Sequence, residues 1–459
     1  MRYDELAERV LAASSADQTI VIVSAVSSVN TRWARNELTT NGHATSADVT
    51  VIAVHEGADG PRVAALTRPA PQLDATSFAE AALAAARRNA PAWDAAPLAA
   101  GQSGPSAGWH DDESTVAAAD LVDPVAILGD EIARDAADAA EHFGYLEFSQ
   151  TSTWLASSTG LALRSDQPAA RLELTVKSHG RTRSTWQGYA GRDLASADVA
   201  GMAQRARTEL RWQSRDIHVA PGHHTALLSP SAVADLMIDL LYGADGRAAV
   251  EGRSAFSRPG GATAIGEVLA TRPLRLSSGP QLASVPSAPF LVATMSHDAV
   301  SVFDNGLALE PTDWIAEGRL AGLVTSRAVA SRSGLPVRLS PDNLGLDAAG
   351  SGAMDDLIAR TDDGLLVTCT WYNRMVDPHQ HLITGLTRDG VFVVRGGEVV
   401  GRTGNFRFNE SPVAMLARVR DASAQMPALG REMADYFTRT SMPALAVADF
   451  NFSSPSDAV

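Results

Sequence analysis

The sequence predicts an α+β protein with an N-terminal strand-and-helix domain and a larger, β-rich C-terminal domain. Three observations predict it. A chain of 459 residues exceeds what one hydrophobic core ordinarily organises. Its first half mixes β-branched runs of strand length with Ala-rich helical stretches, whereas beyond residue 223 strand and turn signals dominate to about Asn409. Its 45% hydrophobic content is that of a globular chain and not of a disordered one. On this reading residues 1–91 form an N-terminal α/β segment and 92–115 a loop or linker. Residues 116–222 form a central α+β segment that completes the N-terminal domain, and 223–459 make the C-terminal domain.

The opening residues, Met1 to Val10, read as a charged amphipathic helix without the apolar core of a signal peptide. Thr19–Ser24 and Asp48–Val54 are β-branched and predict strands, and Thr31–Leu38 alternates like a half-exposed strand. Asp74–Arg88 places Phe78, Ala82 and Ala85 on one helical face, and Asn89-Ala-Pro91 ends it. Residues 92–115 carry Gly, Pro, Ser, Trp and acids with no period. Pro124–His142 predicts a helix through Val125, Leu128, Ile132 and Ala136. Short strands follow at Gly144–Ser149, Ser152–Ala156, Gly160–Leu163 and Arg171–Val176, then a helix over Asp193–Arg211, and the unit closes near Ala220-Pro-Gly222.

In the second half, Ser229-Pro230 is a helix start: a hydroxyl cap followed by proline at the first helical position, where its missing donor does no harm. Gly364–Thr370 and Gly390–Arg395 predict strands, and Gly396-Gly397 before Glu398-Val-Val400 predicts a hairpin. Ser411–Gln425 reads as a helix and Met442–Val447 as a final strand.

Composition excludes some functions. A net charge of -15, with a pI of about 5.2, is the reverse of the clustered positive charge that nucleic acid demands. The 38 basic residues include a single lysine, Lys177, which fits an Ala-rich, Arg-rich coding bias. The only cysteine, Cys369, rules out an intrachain disulfide framework and fits a reducing compartment. No run approaches the roughly 20 apolar residues of a membrane span. These features together read as a cytoplasmic protein that binds neither nucleic acid nor membrane.

The stretch from Thr225 to Gly243, strand then cap then helix, resembles the corresponding passage of the TldD/PmbA peptidase family. The likeness continues through Gly252–Phe256, Phe303-Asp-Asn-Gly306, Trp314–Leu323, Ser326–Ala330, the hairpin Asp389–Val400 and Gly401–Pro412. No one segment is specific; their order through the second half carries the match. The resemblance implies a β-rich C-terminal domain of the TldD/PmbA type. In catalytic members the helix bears HExxxH, two histidine zinc ligands and a glutamate base, with a cysteine ligand near the C-terminus. Here the histidine positions fall on Ile238 and Gly243, the glutamate position on Asp239, and Ser441–Asn451 holds no cysteine. Zinc is bound by imidazole, thiolate or carboxylate, so the motif is degenerate and no catalytic residue is assigned. The resemblance then implies a TldE/PmbA-like, zinc-free subunit of a cytoplasmic complex that acts on extended or unfolded peptides. It would act beside a TldD-like catalytic subunit that holds the zinc, or as a homodimer.

Other constellations compete with this one. His379 and His381 flank Gln380 and would share a strand face, giving an alternative metal site and with it an amide hydrolase, although Pro378 favours a turn. His55-Glu56 is followed by Gly-Ala-Asp-Gly60, a turn. Gly101–Gly108 is Gly-rich, and its half Gly104-Pro-Ser-Ala-Gly108 spells G-x-S-x-G, but neither lies between a strand and a helix. Trp371-Tyr-Asn-Arg374 has two readings. One is a peptide-contacting lip, with Trp371 and Tyr372 for apolar area and Asn373 and Arg374 for polar grip; the other is an aromatic-capped strand end with Arg374 paired to a nearby acid. A peptide-binding modulatory protein without activity is a further reading. Trp371–Met375 and Met442–Val447 are the stretches expected at a subunit interface.

Overall fold

The computed structural model describes residues 2–71, 73–101, 104–136, 138–282 and 284–456, and among these the strands form three sheets. The first is antiparallel and ordered β3-β2-β1-β4-β5-β6. Its strands are β1 (Gln18–Ala34), β2 (Glu37–Gly57), β3 (Gly60–Pro69), β4 (Glu141–Ser157), β5 (Ala162–Ser178) and β6 (Arg183–Gly191). One face carries Val21, Val23, Val49, Val51 and Trp154 at one end, packed against α1 (Tyr3–Ala13) and α2 (Ala75–Arg88). At the other end Val29, Trp33, Leu172 and Leu174 pack against α3 (Val122–Ala136) and α4 (Val199–Trp212). Period-two alternation sends the intervening Ile20, Ile22, Ile52, Val54 and Leu155 to the opposite face, where they meet Phe290, Val302 and Phe303 of the second domain.

The strands are longer than local sequence signals indicate. Thr31–Leu38 is not a strand of its own: β1 runs to Ala34 and turns at Arg35 and Asn36, both at positive φ (55° and 67°), straight into β2. Two residues of that conformation match the twist of a tight hairpin. The paired signals at 144–149 and 152–156 fuse into β4, and those at 160–163 and 171–176 merge into β5 but for its first two residues. Helix α3 ends at Ala136, and His142 lies in β4. Helix α4 starts at Val199, where the Asp198 carboxylate accepts from Gly201 N at 2.8 Å. Residues 92–115 are tied to both domains. Trp109 is buried in the first, while the Trp93 ring lies between the guanidinium groups of Arg247 (4.0 Å) and Arg332 (5.3 Å). Ser106, centre of the G-x-S-x-G, spends its Oγ accepting from Arg164 N at 2.8 Å; Gln102 and Ser103 of the Gly-rich loop lie outside the described residues.

The second domain contains, in chain order, β7 (Gly222–Leu228), β8 (Arg275–Ser278), β9 (Thr312–Ala316), β10 (Arg319–Leu320), β11 (Leu344–Asp347) and β12 (Asp363–Asp377). Then come β13 (Leu382–Arg395), β14 (Glu398–Thr403), β15 (Asn405–Glu410), β16 (Val419–Ala422), β17 (Met426–Ala428), β18 (Thr440–Met442) and β19 (Leu445–Ser456). Strands β12, β7, β19, β15 and β13 pair in a closed ring, because β12 also bonds β13. The smaller sheet runs β10-β9-β8-β11-β18-β17. The β13–β14 turn sits on Gly396-Gly397 (φ 57° and 80°), as the sequence indicates. Ser411–Gln425 is not a helix throughout. Pro412–Met415 forms one turn, a 3-10 turn follows, and Val419–Ala422 leaves to pair with β19. Met442–Val447 is not an outer face either: Met442, Ala444, Leu445 and Val447 have no exposure, since they cross the centre of the core. No helix among the described residues is long and apolar enough to cross a membrane.

Candidate functional site

The site is organised by α5 (Pro230–Gly243), the helix carrying the degenerate motif. Ser229 Oγ accepts from Ala232 N at 3.2 Å, and Pro230 takes the first helical position. Nearly every following side chain is buried, because the helix lies in the core shared by the closed ring and the smaller sheet. Burial of Leu236, Met237 and Leu240 stabilises that position by about 1.5–3 kcal/mol each. One polar stripe interrupts the apolar surface. Asp235, Asp239 and Gly243 follow at i, i+4 and i+8 and so share a face. Ile238 lies off that stripe, fully buried in the core.

The 378–381 turn between β12 and β13 closes over this stripe. His381, at φ 47°, is 2% exposed, and its Nε2 lies 3.2 Å from Asp239 Oδ1. A Cβ placed on Gly243 would come within 2.0 Å of His381 Cε1 and 2.2 Å of Nδ1, so the imidazole packs on the bare backbone of the last helical residue. His379, two residues earlier, is exposed, and its backbone N–H bonds Asp377 Oδ1 at 2.9 Å. The turn that Pro378 favours therefore separates the two histidines instead of presenting them on one strand face. His55 lies near the end of β2, 3.1 Å from Asp17.

The Trp371–Arg374 segment forms the irregular end of β12, where register shifts interrupt its pairing with β13. Tyr372 is exposed with φ 57°, and the Arg374 guanidinium stacks 4.2 Å above its ring. Glu432 holds the segment in place: its Oε2 accepts from Tyr372 N at 2.7 Å and its Oε1 from Arg374 Nη1 at 2.9 Å. Asn373 is buried, and its amide oxygen lacks a hydrogen-bond partner among the described residues. Trp371 is half-buried under Arg388 and Arg431. Beside the far end of α5 a cleft of about 560 Å³ is bordered by Tyr242, Asp245, His297, Asp342, Tyr436 and Arg439.

Two buried polar clusters adjoin α5. Asp235 has no exposure; it accepts from Thr370 Oγ1 at 3.0 Å and from Met433 N at 3.1 Å. Burial pushes its carboxyl up to about 7, against the pull of these donors. Next to it Cys369 donates its S–H to Arg388 O at 3.1 Å and receives Arg431 Nη1 at 3.1 Å. Burial pushes this thiol up to about 11. Arg431 also pairs with Asp389, which accepts from Ser184 of the first domain at 2.7 Å. Burial alone would raise Asp389, yet Arg431, Ser184 and Arg388 hold it below the usual carboxylate range.

The residues at the motif positions do not fit zinc. Ile238 presents hydrocarbon to the core, Gly243 has no donor, and the imidazole of His381 fills the space beside it. Cys369 lies on β12, bonded to Arg431 and Arg388 O. Among the described residues no three His, Cys, Asp or Glu side chains are grouped to hold a metal ion. The sequence missed the pairing of His381 with Asp239, 142 positions away, whereas the expected acid beside Arg374 is Glu432, whose identity 58 positions away the sequence did not disclose. The Asp235–Asp239–Gly243 spacing was the one local signal.

Solved structures share this architecture along nearly the whole chain. TldE from Thermococcus kodakarensis superposes with a TM-score of 0.76 at 17% identity, covering 98% of this chain and 99% of that one. A protein described as a candidate modulator of DNA gyrase from Thermotoga maritima gives 0.77 at 13% identity, covering 98% and 99%. A counterpart from Bacteroides thetaiotaomicron gives 0.74 at 13% identity, covering 97% and 98%. At these identities the likeness is one of fold. No curated protein matches the sequence. The family model of the PmbA/TldA metallopeptidase C-terminal domain matches residues 221–454, just over half of the chain and the whole of the region built around α5, so the chain belongs to the PmbA/TldD family.

Proposed function

We propose that this chain is a zinc-free subunit of a peptidase complex and binds extended peptides beside a zinc-bearing relative or a second copy. One observation carries the reading: the three motif positions on α5 lack a ligand set, and His381 packs into the space a ligand side chain at position 243 would need. A helix kept in place while its ligands are replaced by core packing and a histidine plug retains the scaffold without the metal chemistry. The exposed Tyr372, Met375 and Val376 offer apolar area at the irregular end of β12, and an extended peptide can add its backbone to such a strand. The chemistry of the partner supports the pairing: bond cleavage needs the HExxxH that this chain lacks. In the cell the complex would be cytoplasmic.

Metal analysis of the purified chain, alone and after co-expression with an HExxxH-bearing relative, tests the proposal. The expected result is zinc well below stoichiometry in the isolated chain, no peptide hydrolysis, and hydrolysis in the mixed preparation. Stoichiometric zinc in the isolated chain, lost together with activity in His379→Ala or His381→Ala, would overturn it in favour of a hydrolase with its own site.

A further inference from the structure

The cleft of about 560 Å³ beyond the last turn of α5 has the size of a small-ligand site, which runs to roughly 300–1,000 Å³. Leu241 and Phe437, both buried, give it an apolar floor, and the exposed rings of Tyr242 and Tyr436 stand at its rim. Its carboxylates are only half satisfied. Asp245 is 9% exposed and caps α6 (Gly246–Val250): its Oδ1 accepts from Arg247 N at 2.7 Å and from Ala248 N at 3.2 Å. Oδ2 takes no donor among the described residues, so it is the atom that Asp245 offers to the cleft. Asp342, also on the cleft wall, accepts through Oδ2 from Arg439 Nη1 at 2.8 Å and from Ala288 N at 2.9 Å. Its Oδ1 is buried and has no hydrogen-bond partner among the described residues.

We infer that this cleft receives a lysine or arginine side chain of an extended peptide, with the cationic head at Asp245 and the stem on the apolar floor beside the two tyrosines. The inference rests on the peptide-binding reading of this chain and adds a side-chain preference to it. Charge is the first observation that selects this occupant. Two carboxylates and one guanidinium border the cleft, and the guanidinium is taken by Asp342, so Asp245 is left without a counter-ion. Burial raises the Asp245 carboxyl above its ordinary value against the pull of the two α6 amides, and Asp298 pushes the same way. A cation placed there relieves an existing cost, whereas an acidic side chain would add to it. Shape is the second observation. Lysine and arginine lay an apolar stem along hydrocarbon and keep a charged end for polar groups, and a cation is also attracted to the face of a tyrosine ring. A metal ion is a poorer occupant, because among the described residues no three His, Cys, Asp or Glu side chains are grouped to hold one. Continuity is the third observation. Glu432, which holds the lip at the end of β12, and Tyr436 and Arg439 of the cleft belong to one short segment, so a peptide on the lip has the cleft along the same stretch of chain.

Polarisation titrations of the full chain with two fluorescent, unstructured peptides that differ at one position, arginine against glutamine, test it. The arginine peptide is expected to bind about tenfold tighter, the worth of one hydrogen-bonded charge pair. Asp245→Asn removes the charge but keeps an acceptor for Arg247 N and Ala248 N, and asparagine caps a helix as well as aspartate does. The melting temperature should therefore hold while the preference for arginine disappears. Asp123→Asn, at an exposed carboxylate of α3, makes the same change in net charge and should leave the preference intact, which separates a site from the general attraction of an acidic protein for cations. Tyr436→Ala removes an exposed ring and should weaken the arginine peptide more than the glutamine one. Equal affinities of the wild type for the two peptides, or a preference that survives Asp245→Asn, would overturn the inference and leave the peptide-binding reading standing. Failure of the chain to bind either peptide would overturn both.

Discussion

The imidazole of His381 lies against the bare backbone of Gly243, 2.0 Å from where a side chain at that position would begin. The same ring meets Asp239 at 3.2 Å. The turn between β12 and β13 thereby plugs the face of α5 that carries Gly243, the position to which the sequence resemblance assigns a second histidine in catalytic members. The want of a side chain at position 243 is thus coupled to the packing of His381.

Introducing Ile238→His, Asp239→Glu and Gly243→His together is therefore expected to destabilise the chain without creating a zinc centre. Ile238 is fully buried, and an imidazole in its place loses apolar packing and brings polar atoms without partners, which costs about 2–5 kcal/mol. The new side chain at 243 must also displace His381. Thermal melting should show a large fall and metal analysis no stoichiometric zinc. Adding His381→Ala to the triple variant should recover part of the loss by clearing the ring. Tight zinc binding by the triple variant would show that a third ligand is already in place.

Asp235 predicts an unusual pH dependence. Its carboxyl titrates near 7 in the folded chain and near 3.9 when unfolded. Between those values the folded state keeps a proton that the unfolded state has lost, so this group's contribution to stability falls as pH rises from about 4 to about 7. The ceiling on that loss is about 4 kcal/mol. In Asp235→Asn the slope vanishes, while the amide can still accept from Met433 N and donate to Thr370. Denaturant unfolding at pH 5 and pH 8 should show the variant gaining on the wild type at the higher pH. A difference that does not change with pH would mean that the buried carboxylate is fully compensated.

Cys369 should resist reagents until the chain unfolds. The thiolate is the reactive form, and burial pushes this thiol up to about 11, so little thiolate exists near neutrality. Alkylation at pH 8 is expected to proceed only in denaturant. Removing its neighbour is a harsher change. Arg431→Met leaves Asp389 buried without its main counter-ion, a loss of about 3–5 kcal/mol. Rapid labelling of native protein would place the thiol in an open environment and remove the basis for this expectation.

How far the sequence disclosed the molecule depended on the range of the interaction. Ser229-Pro230 and the Gly396-Gly397 hairpin are local devices, and each was readable. The Arg35-Asn36 turn lacks the glycine that usually marks such hairpins, so β1 and β2 looked like shorter pieces. Residues 419–422 carry helical periodicity but become a strand because β19 offers them a partner. Met442–Val447 was expected at a subunit interface but is buried in the core, since an apolar run does not say how many faces it buries or against what. At the site, the degenerate motif was visible as letters. The plug was not, because only the tertiary fold brings His381 to Asp239 and Gly243.

The lip at the end of β12 gives the last expectation. Tyr372 and Arg374 are exposed, and their stack and the Arg374–Glu432 pair lie at the surface, where such contacts are worth about 1 kcal/mol or less to the fold. Tyr372→Ala should then leave the melting temperature nearly unchanged. If the lip contacts peptide, the same substitution removes an aromatic surface held at little entropic cost, and affinity for a fluorescent, unstructured peptide should fall about tenfold. Arg374→Ala should act differently: it frees Glu432 as well, so binding of peptides with acidic residues should weaken more than binding of neutral ones. Polarisation titrations of both variants against one acidic and one neutral peptide separate the two contributions. Equal affinities for wild type and Tyr372→Ala would make the segment a capped strand end, with Arg374 serving only to hold Glu432.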